Sequence, residues 1–160
     1  MAEQGMETIK NLTIKPVDDP TQYFDLLLQA DPSPDLVRDY LKVGHLYGGI
    51  FETQIVGAFV LLNKGERVWE LKNITVTEQY QGRGFGRALM QYAIAETQSL
   101  GGKTLEVGTG NSSLSQLRFY EAAGFQRSHV DKGFFTRNYD EPIFENGVLC
   151  KDMIFLAIEF

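Results

Sequence analysis

The chain has 160 residues, 43% of them hydrophobic and 22% charged, with a formal net charge of −6. That suits one globular domain with a genuine core, and the acidic balance argues against a general nucleic-acid binder, which presents a basic face. The single cysteine, Cys150, excludes an internal disulfide and a four-cysteine zinc site, and no apolar run reaches the roughly twenty residues of a membrane helix.

Met1–Lys10 is polar and expected to fray, which leaves residues 11–160 as the folded domain. Its polar start does not read as a signal peptide, so the expected location is cytoplasmic. Leu12–Val17 alternates as a first strand, with Pro16 marking an edge or an end. Asp18-Asp19-Pro20 signals a helix whose apolar face is Tyr23, Phe24, Leu27 and Leu28. Ser33-Pro34 opens a second helix, with Leu36, Val37, Tyr40 and Leu41 inside. Leu46–Glu52 and Ile55–Leu62 read as an antiparallel hairpin joined by Thr53-Gln54. Lys64-Gly65-Glu66 then turns the chain into a strand, Val68–Val76.

Next comes Gln79–Leu89, QYQGRGFGRAL, in which Gly82, Gly84 and Gly86 alternate with Arg83, Phe85 and Arg87. Glycines at this spacing let the backbone approach a large ligand with its amides outward. The orphan donors and positive end of the following helix face the same spot, so the turn favours an anion, most naturally a pyrophosphate. A nucleoside-triphosphate loop would end in Gly-Lys-Ser/Thr, but here the end is Gly86-Arg87-Ala88. A dinucleotide fingerprint wants G-x-G-x-x-G, whereas this chain has G-x-G-x-G; Glu106 nevertheless falls about twenty residues on, where a ribose-binding acid would stand. A ligand-free glycine turn is the plain alternative, although three glycines and two arginines exceed its needs.

The helix carries Phe85, Leu89, Ala93 and Leu100 on one side and stops at Gly101-Gly102. Lys103 opens a short strand through Leu105 and Val107, and residues 108–113 form a polar loop ending in good N-cap residues. A helix over about Leu114–Ala123 follows, with Leu114, Leu117 and Tyr120 three apart, and Gly124 caps it before the strand that Phe125 begins. Phe134–Glu145 is aromatic and acidic, a candidate lining for a cationic amine site through Asp140 and Glu141. Leu149–Ile158 reads as the closing strand, with Cys150 a buried inert thiol within it. No internal repeat or linker calls for a second domain. His45 and His129 are isolated and lack metal-ligand spacing.

Gln81-Gly82-Arg83-Gly84-Phe85-Gly86, directly after Ile74-Thr75-Val76, resembles the acetyl-CoA loop of the GNAT N-acetyltransferase superfamily. The resemblance continues at LRFYEAAGF, Leu117–Phe125, and two separated motifs in order are far more specific than one. The tail NYDEPIFENGVLCKDMI is also similar to a bacterial subgroup of poorly defined substrate. The resemblance implies a single α/β domain: a mixed, mostly antiparallel sheet with a splayed central strand pair and flanking helices. It implies acetyl-CoA as cosubstrate, no metal, a primary amine of a small molecule or peptide as acceptor, no nucleic acid or membrane partner, and a homodimer.

Acetyl transfer to an amine needs a base for the amine, a donor for the carbonyl oxygen and a proton for the departing thiolate. The resemblance gives the second task to a backbone amide near Val76, with Ile74, Thr75 and Val76 holding the pantetheine arm. Gly82–Arg87 then binds the pyrophosphate through main-chain amides, with Arg83 and Arg87 adding charge. Tyr120 stands at the family's general-acid position. The family's asparagine, seven residues before that tyrosine, is here Ser113; Asn111, two earlier, is the favoured pantetheine contact. Two carboxylates qualify as base: Glu70, which strand parity groups with Ile74 and Val76 unless a bulge intervenes, and Glu106 on the neighbouring strand. A non-catalytic acyl-CoA-binding or sensing module would keep the loop and need neither acid nor base.

Overall fold

A computed structural model describes residues 9–160. The frayed start expected for Met1–Lys10 therefore falls, over residues 1–8, outside the described residues. Nine strands are described: β1 Leu12–Pro16, β2 His45–Phe51, β3 Gln54–Gly65, β4 Val68–Val76, β5 Thr104–Gly110, β6 Gln126–Asp131, β7 Ile143–Glu145, β8 Val148–Cys150 and β9 Met153–Glu159. The α-helices are α1 Phe24–Ala30, α2 Pro34–Val43, α3 Phe85–Ser99, α4 Leu114–Ala122 and α5 Phe134–Asn138.

Seven strands form one sheet in the order β1-β2-β3-β4-β5-β9-β6, and β7 pairs with β8 in a separate ribbon. Only the β4–β5 pair is parallel. β3 is apolar from Ile55 to Leu62 because both faces of that stretch are covered. Phe59 and Leu61 join a core under α3 and α4, with Leu89, Met90, Ala93 and Leu117. Ala58 and Val60 join a second core under α1 and α2, with Leu26, Leu27, Val37 and Tyr40.

Local chemistry sets the helix starts. Asp19 accepts from the Thr21 amide at 3.0 Å ahead of a 3-10 turn at Pro20–Tyr23 that leads into α1. The Ser33 hydroxyl accepts from the Leu36 amide at 3.3 Å, with Pro34 first in α2.

Several expectations need correction. The β2–β3 turn is Glu52-Thr53 rather than Thr53-Gln54, since those two residues hold φ of +49° and +75° and reverse the chain one position earlier. Leu100 is exposed, because α3 ends at Ser99 and Leu100 leaves its buried face. Leu114, in the first turn of α4, is exposed as well. Gly108–Gly110 is strand rather than loop, paired to Met153–Phe155 of β9. The run Leu149–Ile158 is two strands, because Lys151-Asp152 interrupts it and sends β8 into the ribbon with β7.

Two features of β4 position the site. Val60 faces Asn73 across the ladder but Leu61 faces Leu71, so Lys72 is an extra residue, a bulge. β4 pairs β5 only over Val68–Leu71; beyond the bulge it stays with β3, while β5 stays with β9. The two central strands splay apart there.

Candidate active site

The glycine turn sits at the open end of that splay. Gly82 and Gly84 hold φ of +76° and +89°, which side chains resist, so the turn is glycine by necessity. Gln81 ties it back by donating its Nε2 to the Val76 carbonyl at 3.0 Å. The first bond inside α3 runs from the Ala88 amide to Gly84 O at 3.1 Å, so the Phe85 and Gly86 amides precede it and lie at the positive end of the helix. Phe85 offers only its backbone, since its ring is buried. Arg83 lies over the rings of Phe51, Tyr80 and Phe85 at 5.6, 5.4 and 5.6 Å and so braces the turn. Arg87 lines a separate groove between α3 and α4.

From the turn a groove of about 580 Å³ runs between β4 and α4. Ile74, Thr75, Val76, Gln81, Gly82 and Gly86 line it, opposite Gln116 and Phe119. The Thr77 amide donates to Val56 O of β3 at 2.8 Å, so by strand alternation the peptide groups of Val76 and Ile74 face the splay. Such a strip of backbone donors and acceptors fits an extended amide-bearing chain, and the glycine turn fits its anionic end.

A second cavity, about 360 Å³, meets the groove at Ile74 and Gln116. Tyr120 lines it and is 6% exposed, flanked by Phe119 and Phe125. Burial raises its pKa above the ordinary phenol value, so it keeps its proton at neutral pH. Ser113 also lines this cavity, and its hydroxyl donates to Glu145 at 2.5 Å.

Asn111 lies elsewhere. Its carbonyl accepts from the amides of Lys151 and Asp152 at 2.8 and 3.0 Å, and its Nδ2 points to Leu149 O, so its amide is committed to the β8–β9 connection. The bulge also overturns the parity of Glu70: Trp69, Leu71 and Ile74 share the α3–α4 core, which leaves Glu70 on the opposite face from Ile74. Glu70 and Glu106 are register partners on β4 and β5 and share Lys64, at 3.8 and 2.9 Å. Partial burial lowers the pKa of Lys64, but the two carboxylates outweigh it and the net shift is upward. Neither carboxylate lines either cavity; Lys72, 3.7 Å from Glu70, reaches the second one.

Sequence reasoning missed Asp31. It lines the second cavity, where Tyr139 donates to Oδ1 at 2.8 Å and Tyr40 to Oδ2 at 3.2 Å. Asp31 and Tyr139 lie 108 positions apart, and no local pattern links them. From the acidic segment, Phe135, Tyr139 and Glu145 reach the cavity, whereas Asp140 and Glu141 are exposed and do not.

Cys150 also lines the cavity but is only 5% exposed, and burial pushes its thiol pKa up. The inert thiol form dominates at neutral pH. Iodoacetamide at neutral pH should label the folded protein at least about tenfold more slowly than the denatured chain, as followed by intact mass. His45 packs on Trp69 and His129 on Phe155. No group of three or more His, Cys, Asp or Glu is placed to hold a metal among the described residues, and no helix there is long and apolar enough to cross a membrane.

A parallel pair splayed around a backbone strip, with a helix-start anion site at its mouth, is the arrangement that the resemblance to coenzyme A-dependent acyltransferases implies. The profile of the acetyltransferase (GNAT) family matches residues 11–125. The chain is 44% identical over 138 residues to the uncharacterized N-acetyltransferase YvbK of Bacillus subtilis, covering 86% of this chain and 89% of that one. It superimposes with a TM-score of 0.92 on a GNAT family acetyltransferase from Elizabethkingia anophelis with acetyl-CoA bound, at 42% identity over 95% of this chain and all of that one. A Bacillus subtilis acetyltransferase in complex with CoA gives 0.88 at 42% identity, covering 93% and 99%. The chain belongs to the GNAT family, and it is an acetyl-CoA-dependent N-acetyltransferase.

Proposed function

We propose that this enzyme moves the acetyl group directly onto a primary amine of a small molecule or peptide, with Tyr120 as general acid and Glu70 as general base. The observation that carries this reading is the junction at Ile74, where the backbone groove opens into the cavity that Tyr120 lines. Acetyl-CoA supplies the activated acetyl thioester. The turn from Gly82 to Arg87 receives its pyrophosphate, Ile74, Thr75 and Val76 hold the pantetheine by strand-like pairing, and the Val76 amide donates to the carbonyl oxygen. The acceptor nitrogen bonds to the acetyl carbon as the carbon–sulfur bond breaks. Tyr120 gives its proton to the sulfur, and the proton from nitrogen passes through water in the second cavity to Glu70, with Lys72 between.

Glu70 ranks ahead of Glu106 because it contacts Lys72, which lines the acceptor cavity. Glu70→Gln should lower kcat by about 10²-fold, and Glu106→Gln by less than tenfold. Equal losses would remove the ranking. The reading as a whole is tested by titrating acetyl-CoA, CoA and NAD in parallel by calorimetry, then following thiol release across a panel of amines. Binding of acetyl-CoA with release of CoA by at least one amine is the expected result; CoA release with none would defeat direct amine transfer.

A further inference from the structure

Resting on the proposed amine transfer, the structure assigns the acceptor to a class: a primary amine that carries a second cationic group, held by Asp31 and Glu145. The cavity that Tyr120 lines adjoins the groove at Ile74, and three charged side chains line it: Asp31, Glu145 and Lys72. Lys72 is drawn to Glu70 at 3.7 Å and lies over the Tyr40 ring at 5.5 Å. The two carboxylates thus leave the cavity with a net negative lining, which suits a cation.

Both carboxylates are fixed by neighbours that donate without cancelling their charge. Tyr139 and Tyr40 hold the two oxygens of Asp31, the Ser33 amide adds a third bond at 3.2 Å, and Ser113 holds Glu145. Phenols and a hydroxyl orient an anion; a lysine or arginine there would have neutralised it. Tyr40 also accepts from Asn73 Nδ2 at 2.9 Å, which locks the phenol that holds Asp31. Asn73 is 4% exposed, lines the same cavity, and its Oδ1 is buried with no hydrogen-bond partner. An acceptor without a donor at that depth is a standing cost beside the two carboxylates. Aromatic Phe135 and Tyr139 complete a wall that favours organic cations over hydrated metal ions.

The test compares pentylamine with cadaverine, a monoamine and a diamine of equal chain length, by thiol release at saturating acetyl-CoA. We expect kcat/KM for the diamine to exceed that for the monoamine by roughly tenfold or more. Asp31→Asn and Glu145→Gln should each pull that ratio toward unity, mainly through KM for the diamine. Tyr139→Phe keeps the carboxylate and the ring, and should lower the ratio by only about threefold, so it guards against a simple folding defect in Asp31→Asn. Equal kcat/KM for the two amines in the wild type, or a ratio unmoved in both carboxylate variants, would overturn the assignment. If neither amine releases CoA, cadaverine titrated into the CoA-bound protein decides: saturable binding lost in Asp31→Asn supports the cation site while the transfer reading fails, and absence of binding overturns the site as well.

Discussion

Tyr120→Phe should lower kcat by about 10²–10³-fold while the acetyl-CoA Kd stays within about twofold. The substitution removes one oxygen from a ring that the core already holds between Phe119 and Phe125, so the packing survives. The groove proposed for the cofactor is lined by α4 through Ser115, Gln116 and Phe119 rather than through Tyr120, which is why affinity and turnover should separate. The pH dependence has a definite sign. Burial raises the phenol's pKa, so the acid form persists through neutrality and any alkaline limb due to Tyr120 lies above about pH 10. Pre-steady-state thiol release against pH, compared between wild type and variant, measures both effects. A limb near neutrality that disappears in the variant would contradict the role.

Gly86→Asp should weaken cofactor binding by roughly 10²-fold without harming the fold. Gly86 is the second residue of α3, and the atoms nearest a Cβ there are Val76 and Phe119 carbons at 3.6–3.9 Å, ordinary contact. A carboxylate in the first turn suits the helix dipole and should stabilise the helix by about 0.3–1 kcal/mol. The same charge would stand where the pyrophosphate is proposed to dock, and repulsion on the order of 3 kcal/mol at an effective dielectric near 20 would weaken acetyl-CoA by roughly 10²-fold. Thermal melting and calorimetry on one preparation should therefore move in opposite directions. Parallel losses in both would place the turn's importance in folding rather than in anion binding.

Much of the fold was legible because its signals are local. Gly82 and Gly84 need positive φ, Ser33-Pro34 and Asp19-Pro20 start helices, and Gly124 at φ +109° closes α4, each within a few residues of its cause. Asn146-Gly147, with φ of +56° and +75°, is an equally local hairpin signal that fixes the β7–β8 ribbon just ahead of the run Leu149–Ile158. The bulge at Lys72 was not avoidable, because nothing in WELKNITV says where an extra residue will sit. It nonetheless reverses the side of Glu70 relative to Ile74. Asn111 shows the same limit: its loop position suggested a cofactor contact, and backbone groups from β8–β9, some forty residues on, claimed its amide instead.

The splay of β4 and β5 has a consequence for how such a chain can diversify. The donor side draws on one continuous stretch of sequence, from Ile74 to Phe119, apart from two residues of α1. The proposed acceptor side combines Tyr120 and others of that stretch with residues from outside it, where Tyr139 reaches back to Asp31. Substitutions in the terminal segments can thus retune what is acetylated while the middle goes on holding the same donor. Part of the acceptor wall lies outside the stretch that carries the donor, free to change at its own rate.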